Sequence, residues 1–71
     1  MANLCNSFGL EIRKEREKAR LSQEKLAELM QIHRTYLSKL ELGKVCPTLR
    51  VAEKAAKALE LKLSVIISRI E

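Results

Sequence analysis

A chain of 71 residues has room for one small domain, residues 1–71, and no second core. Its composition, 46% hydrophobic and 32% charged, excludes a disordered tail, and no stretch nears the ~20 apolar residues of a membrane span. A net charge of +5 favours a polyanionic partner, nucleic acid ahead of an anionic membrane surface.

Two glycines, one proline and 3% aromatic residues point to an all-α chain with a core of Leu, Ile, Val and Ala. The opening Met1-Ala2-Asn3-Leu4-Cys5 lacks the charged and apolar regions of a signal peptide, so a cytoplasmic protein is expected. Phe8, Ile12 and Ala19 fall at helical spacing and predict a first helix over 8–19. Ser22 is a good N-cap, Glu24 suits the first turn that follows, and Leu26, Ala27, Leu29 and Met30 supply the apolar face of a short second helix. Gln31-Ile32-His33 carries no helix or strand pattern. A third helix over 34–42 points Leu37 and Leu40 inward and stops at Gly43. Thr48 caps a fourth, whose stripe is Leu49, Ala52, Ala56 and Leu59. The last, over 61–70, is rich in Leu, Ile and Val. The expected architecture is a compact bundle of five short helices.

Cys5 and Cys46 form no CxxC pair and His33 is the only histidine, so a zinc site lacks ligands. The cysteines read as two reduced thiols. No glycine-rich phosphate loop is present, and no nucleophile has a base at motif spacing. Neither an enzyme nor a metal or cofactor is expected.

The second and third helices, joined by three residues, form a helical hairpin over 23–42. Ala27 is small where the two must approach, Ile32 plugs the turn, and Leu37 and Leu40 anchor the third helix from behind. Arg34, Thr35, Ser38 and Lys39 then face outward. Those side chains suit the major groove: Arg and Lys donate to guanine O6 and N7, and Thr offers a hydroxyl and a methyl.

Ile12-Arg13…Arg16, Leu21-Ser22-Gln23-Glu24…Leu26-Ala27, Arg34 through Glu41, and Gly43-Lys44…Pro47 occur in that order. Together they resemble the phage repressor/Cro-like helix-turn-helix family, with its lambda-repressor-like fold. The string Arg34-Thr35-Tyr36-Leu37-Ser38 is similar to that of restriction-modification controller proteins. The resemblance implies that Arg34, Thr35, Ser38 and Lys39 read bases, while Gln23, Tyr36 and Lys44 contact phosphates that position the protein without reading sequence. It also implies a structural ion pair between Arg16 and Glu41. The sequence departs from the family at two places. Gln31 stands where the turn usually has glycine, at about 1 kcal/mol if left-handed. His33 stands where Ser, Thr, Asp or Asn usually caps, acting either as a weak cap or toward a phosphate or base edge.

One recognition helix reads too few base pairs for selective binding, so a homodimer is expected, on double-stranded DNA with an inverted repeat. Leu61, Leu63, Val65, Ile66 and Ile70 exceed what one core face needs and form the candidate dimer interface. Such a protein represses by covering promoter elements, or activates by touching RNA polymerase. The rival is a protein-interaction module or antitoxin with the same fold, although the basic outward face of the third helix argues against it.

Overall fold

Asn3 starts the first helix four residues before the apolar pattern predicts. Its side chain accepts hydrogen bonds from the Cys5 and Asn6 backbone N–H groups, satisfying donors that the helix leaves free. The computed structural model describes residues 3–71, with Met1 and Ala2 of the opening stretch outside the described residues. The elements are α1 (Leu4–Lys18), α2 (Gln23–Met30), α3 (Arg34–Glu41), α4 (Leu49–Ala58) and α5 (Leu63–Ile70). No strand occurs among the described residues, and no helix is long and apolar enough to cross a membrane. Ser22 and Thr48 cap α2 and α4 through bonds from Lys25 N (3.0 Å) and Val51 N (3.1 Å). Lys62 precedes α5 without a capping side chain, so this helix starts two residues later than its greasy sequence suggests.

The first four helices end alike. Arg20, Gln31, Gly43 and Glu60 each take positive φ, between 57° and 75°. The following residue then donates back to a carbonyl in the last turn: Leu21 to Arg16, Ile32 to Ala27, Lys44 to Lys39 and Leu61 to Ala56. Leu21, Ile32 and Leu61 thereby swing onto the core. Three of the four left-handed residues are not glycine. Each accepts about 1–2 kcal/mol of backbone strain, offset by the carbonyl it satisfies and the apolar side chain it delivers.

α1 packs on α3 and α5, α2 on α3 and α4, and α4 on α5. Ile12, Leu26, Met30, Leu37, Leu40 and Ile66 are fully buried at the centre. Gly9 lets α1 touch the backbone of α3, because a Cβ there would overlap the Leu40 carbonyl oxygen. Ala52, Ala55 and Ala56 give α4 a thin face against its neighbours. Arg69 on α5 reaches both Glu11 and Glu15 on α1, at 3.1 Å each.

The structure corrects four burial expectations. Ala19, in the C-cap position of α1, is exposed, as is Leu29 on α2. Leu49, expected on the core stripe, is 83% exposed, because Ala55 and not the first residue of α4 completes the buried face. Ile66, expected at a dimer surface, lies wholly inside the core.

The cysteines require a further correction. The early start of α1 carries Cys5 against the α3–α4 loop, where it is joined to Cys46 as a disulfide with Cα atoms 5.1 Å apart. Sequence separation had concealed the proximity.

Candidate nucleic-acid interface

The face of α3 turned away from the core begins with Arg34 and Thr35, both exposed, and continues one turn later through Ser38 and Lys39. Leu37 and Leu40, both fully buried, fix this orientation at helical pitch. Gln23 from the first turn of α2, Leu42 at the end of α3, and Lys44 complete an open concavity of about 380 Å³. Its lining holds three cationic side chains, Arg34, Lys39 and Lys44, and no carboxylate. Such a surface attracts a polyanion and offers donors to it.

Behind the concavity stands a bidentate ion pair. Arg16 Nε donates to Glu41 Oε2 at 2.7 Å, and Arg16 Nη2 to Glu41 Oε1 at 3.1 Å. The Arg16 side chain is 12% exposed and that of Glu41 2%. Arg16 Nη1 also donates to the Leu21 carbonyl (2.9 Å), and Gln23 Nε2 to Glu41 Oε1 (3.0 Å). The Glu41 hydrogen bond holds the Arg16 guanidinium pKa above its ordinary value, against the lowering by desolvation. One buried carboxylate thus ties α1, α2 and α3 together, and the network leaves no buried side-chain polar atom unsatisfied among the described residues.

His33 caps α3 through Nδ1, which accepts from Thr35 N at 3.2 Å. With Nδ1 accepting, the ring N–H lies on Nε2. His33 lies on a neighbouring concavity with Ser22, Lys25 and Arg34, and Tyr36 is half-buried outside both. Gln31 adopts the left-handed turn, φ 58° and ψ 42°.

The fold therefore gathers Gln23, Arg34, Thr35, Ser38, Lys39 and Lys44, and sets Tyr36 and His33 apart. Leu42, 57% exposed on the same face, was not anticipated. Its spacing from Ser38 and Lys39, four and three residues, was the available signal, obscured because an isolated leucine reads as core.

The fold is shared with known proteins. The helix-turn-helix family model matches residues 12–66. The restriction-modification controller protein C.AhdI from Aeromonas hydrophila is similar in structure, with a TM-score of 0.84 and 32% identity over 87% of this chain and 94% of that one. The clp gene regulator ClgR from Corynebacterium glutamicum shares the fold, with a TM-score of 0.93 and 21% identity over 99% of this chain and 91% of its own. No curated protein sequence matches.

Proposed function

The chain belongs to the helix-turn-helix family of DNA-binding transcriptional regulators, and we propose that it reads an inverted-repeat operator as a homodimer. The observation that carries the reading is the carboxylate-free concavity along α3, which brings Gln23, Arg34, Thr35, Ser38, Lys39 and Lys44 onto one face. Arg34 donates bidentately to a guanine, while Thr35 and Ser38 offer hydroxyls and Lys39 a cation to neighbouring base edges. Gln23, Tyr36 and Lys44 contact phosphates, and the Nε2–H of His33 is available for another. The protein acts by occupying DNA and performs no catalysis.

Each copy presents a single recognition helix, α3, whereas successive major grooves on one face of the duplex lie ~34 Å apart. Two copies related by a twofold axis span that distance. Half-buried Leu61, Leu63, Val65 and Ile70 supply the interface, with exposed Leu4 and Leu49 adjoining the apolar hollow beside Ile67 and Ile70. Ile66 supports this face from beneath. The likeness to C.AhdI supports a restriction-modification controller, with a phage or plasmid repressor as the neighbouring possibility in the same class. Operator position decides between repression and activation through RNA polymerase. The working compartment is the cytoplasm.

Selection of bound sequences from random duplexes tests the proposal. An enriched inverted repeat, with half-sites about one helical turn apart, is expected. Absence of enrichment, with equal loss of binding on every duplex as salt rises, would reduce the interaction to phosphate attraction and overturn sequence reading.

A further inference from the structure

We infer that Cys5 and Cys46 form a reversible thiol–disulfide exchange site, taking a low-molecular-weight disulfide of the glutathione class, that staples α1 to the loop carrying Lys44. The functional part of this inference rests on the DNA-binding reading. The first observation is position: two cysteines separated by 41 residues come to a Cα–Cα distance of 5.1 Å, within the range a disulfide spans. Cys46 lies in the connection between α3 and α4, just before Pro47, while Cys5 lies in the first turn of α1. The second is access. Cys46 is exposed and Cys5 half-buried, so Cys46 is the more accessible residue of the two to a small disulfide. Cross-links in a reducing compartment are usually transient and sensing, whereas buried thiols are inert.

The third observation is what the staple holds. Gly43, at φ 75°, rests on the Asn6 side chain one residue from Cys5, and Lys44 lies two residues before Cys46. Asn6 and Cys5 are themselves held by the Asn3 cap. The loop is therefore pinned to the start of α1 by a packing contact at Gly43 and by a covalent bond at Cys46. Opening the bond leaves the packing contact and the Lys44 backbone bond to Lys39, and loosens the segment over 45–47 that follows Lys44.

In the forward step the Cys46 thiolate attacks one sulfur of the small disulfide, releasing one thiolate and leaving a mixed disulfide on Cys46. The Cys5 thiolate then attacks the Cys46 sulfur and expels the second. Two protein thiols are oxidised, one small disulfide is reduced to two thiols, and the two protons pass to the thiolates released. Excess reduced thiol reverses both steps.

The test equilibrates the full chain in buffers running from reduced to oxidised glutathione, then traps thiols with a maleimide and counts adducts by intact mass. Expected are two adducts in reduced buffer, none in oxidised buffer, and a Tm at least ~10 °C lower for the reduced form. Cys5→Ser and Cys46→Ser should each hold the reduced Tm in every buffer; should either fail to fold, the reduced native chain supplies the same comparison. A fluorescent random-sequence duplex should bind the reduced form about two- to tenfold more weakly, since the segment that follows Lys44 must then be ordered on binding. Two adducts in every buffer, persistent glutathione adducts, or cross-links between chains would overturn the site. Equal Tm for the two forms would overturn the staple. Equal duplex affinity would overturn its coupling to Lys44. No duplex binding by either form would refute the DNA reading and the coupling built on it, while trapping and Tm still decide the exchange site.

Discussion

Glu41→Ala strikes the network that holds three helices together. It removes the acceptors of two Arg16 N–H groups and one from Gln23, at 2.7, 3.1 and 3.0 Å. Arg16 keeps its bond to the Leu21 carbonyl, but at 12% exposure the guanidinium regains little water. Breaking a buried pair from one side costs about 3–5 kcal/mol. At about 0.05–0.15 kcal/mol per residue, a domain of 71 residues holds roughly 4–11 kcal/mol in all. The variant should therefore lose a large part of its stability. Urea denaturation followed by far-UV circular dichroism would show the midpoint falling with little change in slope. The double variant Arg16→Met, Glu41→Met removes both charges and keeps comparable volume, so it should be more stable than Glu41→Ala alone. A loss below about 1 kcal/mol for Glu41→Ala would mean the pair behaves like an exposed one. The account of a buried tie would then be wrong.

Gly9→Ala places a methyl group against the Leu40 carbonyl and near Glu41 Cα, backbone atoms that cannot swing aside. Despite the better helix propensity of alanine, a net loss of about 1–3 kcal/mol is expected, and an unchanged or raised calorimetric Tm would contradict the close approach. Gln31→Gly relieves the left-handed strain at φ 58°. It should raise stability by roughly 0.5–1 kcal/mol after the added flexibility of the unfolded chain, and a lower Tm would refute the strain argument. Arg34→Ala should weaken operator binding by about 1–3 kcal/mol and relax one base position, whereas unchanged discrimination would remove Arg34 from the reading face. Lys44→Ala should weaken all duplexes alike and flatten the salt slope by about one unit; an unaltered slope would argue against a phosphate contact.

The helix-turn-helix was legible because its signals are local. Ser22, Ala27 and the Leu37–Leu40 spacing specify a capped helix, a small inward residue and an anchored face, and in the structure Ser22 caps α2 while Ala27, Leu37 and Leu40 are buried. The ends of the helices were less legible. Arg20, Gln31 and Glu60 take a conformation that sequence rules assign to glycine, because tertiary packing of Leu21, Ile32 and Leu61 repays local strain. The start of α1 was missed because Asn3 is a polar cap without an apolar stripe beside it. Ile66 and Leu49 exchanged their expected roles because periodicity finds an apolar stripe without saying which edge meets the neighbouring helix. The proximity of Cys5 and Cys46 is a property of the assembled bundle, invisible to spacing along the chain.

The separation of anchoring from reading explains how such a small domain can present a defined surface. Of the side chains lining the concavity, Gln23 is tied to the buried network, through the amide it donates to Glu41. Arg34, Thr35 and Lys39 are exposed, so their placement depends on α3 as a rigid body. Glu41 belongs to that same helix, and through Arg16 it fixes α3 to α1 without entering the concavity. Phosphate attraction needs only charge in roughly the right place, whereas bidentate donation to a base edge needs an aligned fork. Loosening α3 should therefore erode discrimination between operator and random DNA before it erodes binding as such. On the proposed reading, a change at Lys44 should act on every duplex, a change at Arg34 on one base step, and a change at Glu41 on all base steps together.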